Sequence, residues 1–328
     1  MKRNILIIGS NSFSGSNLTS KLLIEGHRVL GISRQNEVQA PYKPYSLNKN
    51  FEFYKLDLNN NMDDIVKLCL AREIDTIFNF SAQSMVGESW IYPDHWYETN
   101  IVALSKLING LVKQKSRLLK FVQFTTPEVY GSTVGSIKEN FNFSPTTPYA
   151  ISRAAGDFHL RAMFESFAFP VIFTRAANVY GEYQSNYRVI PRTFIYGLTN
   201  RKLNLHGGGN SERSFIHIDD VSSALLSIME NGELGSTYHI SSNTILTIRE
   251  IVEKCCNIMD IEFDSLCNIS DDRVGKDAAY KLDSTLIRNN LNWKDRVSLD
   301  EGLSRTYNWV HTNIYELLKQ PLDYQHRK

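Results

Sequence analysis

The sequence predicts an α/β fold with a doubly wound parallel sheet and a smaller C-terminal α/β domain. Strands and helices alternate along the first half of the 328-residue chain, and the first strand leads into a glycine-containing turn and a helix. Alternation of this kind favours a parallel sheet with helices on both faces. Ligands of such sheets bind beyond the carboxyl ends of the strands, and the candidate site residues of this sequence also follow strand ends.

The first turn predicts a site for a dinucleotide. An apolar strand at residues 4–8 runs into Gly9, and Gly15 opens a helix whose leucines recur at helical spacing. Gly9 permits a tight turn, Gly15 lets the helix approach the strand, and the helix N-terminus offers backbone N–H groups to a pyrophosphate. Ser12 stands where such loops usually carry a middle glycine. The pattern predicts a Rossmann-type domain whose cofactor loop comprises Gly9, Ser12, Phe13, Ser14 and Gly15.

The remaining elements of the first half continue the alternation. We predict strands at residues 28–33, 51–58, 76–81 and 120–125. We predict helices at about residues 62–72 and 96–115, and a further one over residues 149–167. These periodicities are those of a βαβ series, in which each helix returns the chain to the start of the next strand.

The composition excludes several classes of function. The chain has 36 Lys and Arg against 35 Asp and Glu, so it offers no strong field to nucleic acid, and we expect no such partner. No apolar run approaches the roughly 18 to 20 residues that span a bilayer, and the N-terminus enters a strand without a leader pattern. We therefore expect a cytoplasmic protein with no membrane partner.

The four cysteines do not indicate a metal site. Cys69, Cys255, Cys256 and Cys267 lack the spacing of zinc ligands, and the adjacent pair rarely forms a disulfide. We interpret all four as thiols of the core and predict no metal.

A second motif follows the strand at residues 120–125. Thr126 and Glu128 lie in a Thr-Thr-Pro-Glu-Val-Tyr-Gly segment, and Tyr149 and Arg153 follow about twenty residues later. At positions i and i+4 of a helix, a phenol and a cation share one face, which favours the phenolate. A phenolate can take a proton from a sugar hydroxyl while hydride leaves the same carbon for nicotinamide. Taken alone, a tyrosine and an arginine at this spacing are most often an exposed pair on a helix surface. The interpretation therefore depends on the motifs nearby in the sequence.

The order of six segments carries a family resemblance. The chain resembles the extended short-chain dehydrogenases and, within them, is similar to the nucleotide-sugar 4,6-dehydratases that act on dTDP-glucose and GDP-mannose. The segments are residues 9–15, 125–131, 149–153, 175–181, 213–220 and 272–277.

This resemblance implies a reaction in three stages. A nucleoside-diphosphate hexose is oxidised at carbon 4, loses water across carbons 5 and 6, and receives the hydride at carbon 6. The cofactor is therefore tightly bound and not consumed. The resemblance makes Thr126 the residue that orients the carbon-4 hydroxyl and Tyr149 its proton acceptor. Arg153 would hold the cofactor ribose, and Glu128 would remove the carbon-5 proton.

Three departures from the family pattern keep other functions open. Pro127 stands where relatives carry an acid or a small hydroxyl residue, Arg153 replaces the usual lysine, and Ser12 adds a side chain near the pyrophosphate. One alternative is a nucleotide-sugar 4-epimerase or 4-oxidase, which needs Thr126 and Tyr149 but not Glu128. The other is a catalytically weak subunit that only binds a sugar nucleotide.

Cofactor preference is predicted from the end of the second strand. An acidic residue there would bind the adenine ribose of NAD, whereas this chain has Ser33 and Arg34, which suit the 2′-phosphate of NADP. We predict NADP, with NAD as the alternative. The resemblance adds an adenine contact at Asp57 and Leu58, and a ribose and nicotinamide contact at Ser81, Ala82 and Gln83.

The resemblance also implies the substrate contacts, the domains and the assembly. The predicted sugar-nucleotide contacts are Ser84, Asn178, Arg188, Arg213, Arg273 and Tyr280. The predicted cofactor domain comprises residues 1–182 and about 212–241, and the sugar-nucleotide domain comprises residues 183–211 and 242–328. Apolar helices over residues 96–115 and 149–167 match those of a four-helix interface in relatives, so we expect a homodimer; burial within one chain is the alternative.

Overall fold

The secondary structure confirms the α/β prediction. The computed structural model describes residues 2–133, 135–270 and 281–327. In chain order, the strands are β1 Asn4–Ile8, β2 Arg28–Ser33, β3 Phe51–Lys55, β4 Thr76–Asn79, β5 Lys120–Thr125, β6 Ser136–Ile137, β7 Val171–Ala176, β8 Asn178–Tyr180, β9 Leu203–His206, β10 Glu212–His217, β11 Thr237–Ile240, β12 Ile245–Thr247, β13 Cys267–Ser270 and β14 Lys281–Leu282.

The helices alternate with these strands. They are α1 Phe13–Ile24, α2 Met62–Ala71, α3 Val86–Ser89, α4 Pro93–Tyr97, α5 Leu104–Lys113, α6 Pro148–Phe167, α7 Val189–Leu198, α8 Ile218–Asn231, α9 Ile248–Met259, α10 Phe263–Leu266, α11 Thr285–Asn290 and α12 Leu299–Leu318. A π-helical segment, Glu98–Ala103, joins α4 to α5, and 3₁₀ turns occupy Pro127–Tyr130 and Gly207–Gly209.

Seven strands form the central sheet. Their order is β3-β2-β1-β4-β5-β7-β11, and every neighbouring pair is parallel. The chain runs outward from β1 in both directions, so the order reverses between β1 and β4. In doubly wound sheets, ligands bind in the crevice that opens at this reversal. The topology therefore directs attention to the carboxyl ends of β1, β4 and their neighbours.

Both faces of the sheet are covered, as the apolar strands require. In β1, Ile5 and Ile7 belong to the core beneath α1 and α8, whereas Leu6 and Ile8 belong to the core beneath α2, α5 and α6. Side chains of a strand alternate between faces, so a strand buried on both sides must be apolar throughout. This explains why the first strand has no polar alternation in the sequence.

Two predicted strands end earlier than expected. The strand predicted at residues 51–58 ends at Lys55, because Asp57 accepts a hydrogen bond from the backbone N–H of Asn59 at 2.9 Å and starts a turn. The strand predicted at residues 76–81 ends at Asn79, whose side chain accepts from the Ser81 N–H at 3.1 Å. In both places a polar side chain accepts a hydrogen bond from a backbone N–H that would otherwise be available for strand pairing.

The helix predicted near residues 96–115 is longer and less regular than expected. It starts at Pro93, passes through the π-helical segment Glu98–Ala103, and ends at Lys113. The apolar side chains of this region face inward: Trp96 is fully buried, and Leu104 and Leu107 belong to the core of the chain itself. Burial within one chain thus accounts for these three side chains, and the dimer stays a prediction.

In the part of the chain that the structure describes, three smaller sheets accompany the central one. They are β8-β10-β12, β9-β13 and β6-β14, and α7, α9 and α12 pack against one another beside them. The proposed division into two domains at residues 182, 212 and 241 remains a prediction.

The structure also bears on the predictions for the cysteines, for membrane-spanning helices and for a metal site. Cys69, Cys255, Cys256 and Cys267 are buried free thiols, which confirms their prediction as core residues. Within residues 2–133, 135–270 and 281–327, none of the helices combines the length and apolar content needed to cross a membrane. The same ranges contain no group of three or more potential metal-ligating side chains.

Candidate active site

Most of the predicted site residues line one cleft. A cavity of about 1110 Å³ opens at the carboxyl ends of β1, β2, β4 and β5. The predicted residues that line it are Gly9, Ser12, Phe13, Ser14, Ser33, Arg34, Asp57, Leu58, Ser81, Ala82, Gln83, Ser84, Thr126, Glu128, Tyr149, Arg153, Asn178, Arg188 and Arg213. Gly15 is buried behind the loop rather than in the wall, and Arg273 and Tyr280 lie outside the described residues.

The glycine-containing loop is shaped by close backbone approaches. Gly9 has φ +82°, and a Cβ atom there would lie 2.9 Å from the backbone nitrogen of Ser81. A Cβ atom on Gly15 would collide with the Gly9 carbonyl oxygen. Any larger residue at these two positions would therefore push the loop into the cleft or away from α1.

Ser12 has a structural role besides the predicted one. It is the N-cap of α1, where its Oγ accepts from the Gly15 N–H at 3.1 Å. It also lines the cleft, so its contact with a pyrophosphate stays a prediction. A serine cap satisfies one of the unpaired N–H groups of the first turn. The replacement of the middle glycine is thus explained by helix capping.

The end of β2 carries a hydroxyl and a cation into the cleft. The Ser33 Oγ accepts from the backbone N–H of Asn11 at 3.1 Å, which ties β2 to the glycine-containing loop. Arg34 is exposed and lines the cavity. Asp57 lines the adjacent wall, with its carboxylate engaged by Asn59 and Asn60 in the turn after β3.

One residue that sequence reasoning missed connects the cofactor wall to α6. Asn100, in the π-helical segment, exchanges hydrogen bonds with the backbone of Gln83, both at 3.0 Å. Its Nδ2 also donates to Ser152 Oγ at 2.9 Å, and Ser152 donates to the Tyr149 carbonyl at 2.7 Å. Nothing in the spacing of Asn100 signals this role. The π-helical turn that presents it is a feature often found at functional sites.

Three residues after β5 form the wall that would face a reacting sugar. Thr126 is the N-cap of the 3₁₀ turn, its Oγ1 accepting from the Glu128 N–H at 3.3 Å. Pro127 opens the turn, a position where its missing N–H costs nothing. Glu128 is half-buried and lines the cavity. The strand end and the turn thus deliver a hydroxyl and a carboxylate to one side of the cleft.

Tyr149 and Arg153 lie on one face of α6, as the spacing predicts, and both are buried. The expectation that Arg153 makes Tyr149 a phenolate is not met by the balance of forces. Burial raises the pKa of Tyr149, and this effect outweighs the opposing influence of Arg153. Glu128 raises the pKa further, whereas a hydrogen bond with Thr126 and the charge of Arg188 lower it. Desolvation penalises the charged form of a buried phenol, and spacing along a helix does not reveal it.

The residues present fit a dinucleotide. Arg153 donates through Nη2 to the Phe124 carbonyl, but its buried Nε finds no hydrogen-bond partner among the described residues. An unpaired buried donor at the rim of a cleft is costly unless a ligand supplies the acceptor. Gly9 and the N-terminus of α1 offer backbone to a pyrophosphate on the same wall.

The C-terminal segment also lines the cleft, and no sequence signal pointed to it. Its carbonyl at Arg327 accepts from Gln83 Nε2 at 2.8 Å, and the His326 ring stacks 5.1 Å from that of Trp96. On the opposite side, Arg192 donates to the Leu322 carbonyl at 2.5 Å. The segment therefore connects the two rims of the cleft.

Comparison with known proteins identifies the family. The family model described as GDP-mannose 4,6 dehydratase matches residues 6–306. This chain belongs to the GDP-mannose 4,6 dehydratase family. The assignment confirms the resemblance to extended short-chain dehydrogenases of the nucleotide-sugar 4,6-dehydratase type.

Two relatives are similar along most of this chain. The dTDP-D-glucose 4,6-dehydratase of Mus musculus is 28% identical over 327 residues, which cover 95% of this chain and 90% of the mouse enzyme. A trifunctional UDP-glucose 4,6-dehydratase of Arabidopsis thaliana is 28% identical over 320 residues, and the chain spans about half the length of that protein, 47%.

A solved dehydratase structure has the same fold. DesIV, a dTDP-glucose 4,6-dehydratase from Streptomyces venezuelae crystallised with NAD, matches with a TM-score of 0.87 at 27% sequence identity. The match covers 95% of this chain and 98% of DesIV. This chain therefore shares the overall fold of a solved nucleotide-sugar dehydratase.

Proposed function

We propose that this chain is a nucleoside-diphosphate-hexose 4,6-dehydratase that forms a 4-keto-6-deoxy sugar nucleotide. The observation that supports it most directly is the position of Glu128, a carboxylate that lines the cleft together with Thr126 and Tyr149 and raises the pKa of that tyrosine. A bound nicotinamide dinucleotide would accept hydride from carbon 4 and return it to carbon 6.

The side chains would divide the proton transfers among them. Thr126 would hold the carbon-4 hydroxyl, and Tyr149 would take its proton as the alcohol becomes a ketone. The ketone acidifies carbon 5, whose proton Glu128 would accept as the carbon-6 hydroxyl departs as water. Pro127 has no proton to give, so the proton for that water would come from Glu128 itself or from solvent.

We further propose that NADP is the cofactor. Ser33 and Arg34 line the cleft at the end of β2, where a carboxylate would be needed to bind the ribose of NAD. The NAD in DesIV supports a nicotinamide dinucleotide, and the choice between its two forms rests on Arg34. Arg188 and Arg213 also line the cleft and suit the diphosphate of a sugar nucleotide, because guanidinium groups bind its oxygens bidentately.

A homodimer is proposed on the outer face of α6. Ile151 and Phe158, seven positions apart on that helix, are 43% and 47% exposed. Large apolar side chains at this spacing form a stripe along one face, and such a stripe favours association with a second helix surface.

The decisive experiment is product analysis with a panel of nucleoside-diphosphate hexoses. We expect a product lighter by about 18 mass units, the mass of water, and carrying deuterium at carbon 5 after reaction in deuterium oxide. Glu128→Gln should oxidise carbon 4 and then stall, with a persistent reduced-cofactor absorbance and a loss of about 100-fold to 10,000-fold in product formation. Glu88→Gln, a carboxylate change outside the cleft wall, serves as the control.

Two other outcomes would identify the alternatives. A product of unchanged mass with inverted carbon 4, from both the parent and Glu128→Gln, would identify a 4-epimerase. Binding of a sugar nucleotide without any product would identify a binding subunit.

A further inference from the structure

A buried ion pair lies behind the cleft, and the mechanism above does not use it. Asp157 on α6 and Arg175 on β7 are both fully buried, with Arg175 Nη2 2.8 Å from Asp157 Oδ2. The same carboxylate oxygen accepts from Thr125 Oγ1 at 3.1 Å. Buried ion pairs contribute little net stability compared with apolar residues of the same size, so their presence calls for another explanation.

The pair is attached to each element that carries a proposed catalytic group. Asp157 stands one helical turn beyond Arg153 and two turns beyond Tyr149 on the same helix. Its partner Thr125 ends β5, immediately before Thr126, and Thr125 is paired in register with Arg175 on the next strand. One carboxylate thus fixes the distance between the Tyr149 helix and the strand end that presents Thr126.

The cation of the pair reaches the turn that carries Glu128. The Arg175 guanidinium lies 5.2 Å from the ring centroid of Tyr130, the last residue of that turn, and 4.9 Å from the ring centroid of Phe143. Rings on these sides shield the cation from solvent and support it through their π faces. Arg175 Nε and Nη1 find no hydrogen-bond partner among the described residues, so the charge is compensated chiefly by Asp157.

Two cations act on the buried carboxylate of Asp157. Burial raises the pKa of Asp157, whereas Arg175 and Arg153 oppose that rise. Arg153 also lowers the pKa of Tyr149, so the carboxyl of Asp157 and the phenol of Tyr149 share one cation. Glu128 and Arg188, which face Tyr149 from the turn and from the start of α7, carry opposite charges and offset each other.

The other titratable groups near Arg175 add no cation. His239 is hydrogen-bonded to the Tyr130 hydroxyl at 2.8 Å, and burial together with Arg175 lowers its pKa to about 3, so it is neutral at working pH. Burial raises the pKa of Tyr130, which also stays neutral. Glu139 accepts from the backbone N–H of His239 at 3.0 Å, and burial raises the pKa of Glu139.

We propose that Asp157 and Arg175 are positioning residues that set the proton affinity of Tyr149 through Arg153 and hold its helix against the end of β5. The inference rests on the proposed function for its catalytic meaning, because that function makes Tyr149 the proton acceptor. Asp157 and the Tyr149 phenolate are both anions that Arg153 can stabilise. Because Arg175 pairs with Asp157, more of the stabilising charge of Arg153 is available to Tyr149.

Opposite effects on Tyr149 distinguish this role from mere structural support. Removing the anion in Asp157→Asn should lower the pKa of Tyr149, and removing the cation in Arg175→Gln should raise it. Eight residues along a helix span about 12 Å, and at an effective dielectric constant of about 20 a unit charge at that distance shifts a pKa by about one unit. The double variant restores the charge balance, so its Tyr149 should titrate near the parent value.

The test follows Tyr149 by NMR of holoprotein labelled with ¹³Cζ-tyrosine, with the resonance assigned from Tyr149→Phe. We expect downward and upward shifts of about one unit in the two single variants, and matching displacement of the acidic limb of the kcat profile, a tenfold rate change at a fixed pH on that limb. Asp220→Asn is the control, since Asp220 is a buried carboxylate bonded to the backbone of Arg296 and Val297 away from the cleft.

Shifts of the same sign in both single variants, or no shift in either, would overturn the proposal. If Asp157→Asn does not fold, the other two variants still test the proposal. The Tyr149 pKa should rise in Arg175→Gln and return to near the parent value in the double variant. The two proposals can fail separately. If the Tyr149 pKa shifts as predicted but the protein turns over no sugar nucleotide, the proposed function is rejected and the positioning role of Asp157 and Arg175 is retained.

Discussion

A Cβ atom on Gly9 would lie 2.9 Å from the backbone nitrogen of Ser81, so the turn after β1 and the segment after β4 meet backbone to backbone. The contact joins the two strands between which the order of the sheet reverses. It also joins two parts of the predicted cofactor site, the pyrophosphate loop and the segment Ser81–Gln83.

Gly9→Ala should therefore disrupt cofactor binding. The φ of +82° costs a side-chain-bearing residue about 1 to 2 kcal/mol, and the contact with Ser81 forces the loop to move. We expect dinucleotide affinity, measured by calorimetry, to fall at least about tenfold, or about 1.4 kcal/mol. Gly135→Ala is the matched control, because Gly135 has φ +72° but nothing within 4 Å of an added Cβ. Equal affinities in both variants would contradict this interpretation.

Arg34→Ala should weaken NADP and spare NAD. The guanidinium is exposed at the cleft and offers a charge-assisted hydrogen bond to a 2′-phosphate, so NADP binding should lose about 1 to 3 kcal/mol. Arg28→Ala removes the same charge at the opposite end of β2 and should leave both affinities unchanged. A parent protein that binds NAD and NADP equally in calorimetry would refute the NADP assignment.

Tyr149→Phe should abolish turnover while the cofactor stays bound. The side chain is buried, so phenylalanine fills the same space and only the proton acceptor is lost. We expect a rate loss of about 100-fold to 10,000-fold with unchanged cofactor content after gel filtration.

The companion variant Arg153→Lys should retain activity. An ammonium keeps the charge beside Tyr149 and can still donate to the Phe124 carbonyl. Turnover by Tyr149→Phe at the parent rate would show that another group accepts the proton.

Phe158→Glu should convert a dimer into a monomer. A carboxylate on the exposed stripe of α6 would have to be desolvated in a helix interface, which is strongly unfavourable. Light scattering coupled to size exclusion should show half the parent mass. Ile269→Glu places the same charge on a 67% exposed residue of β13 and should leave the parent mass unchanged. A monomeric parent protein would disprove the dimer.

Several features of this protein were predictable because they depend on neighbours in sequence. The strands at residues 4–8, 28–33 and 120–125 were predicted to the residue, since apolar runs and the breaks after them are local signals. The common face of Tyr149 and Arg153 followed from helical periodicity. The alternation of elements also sufficed to predict a parallel sheet with a cleft at its carboxyl edge.

The fold class, the glycine-containing loop and the set of candidate side chains were thus predictable from local patterns. Three contacts became visible only in the folded chain: Ser12 caps α1, Asn100 joins the Gln83 segment to α6, and Asp157 and Arg175 are buried together. The direction of the Tyr149 pKa shift likewise depends on the folded surroundings. The reason is that desolvation and ion pairing depend on which distant segments surround a group, and neither composition nor spacing along the chain contains that information.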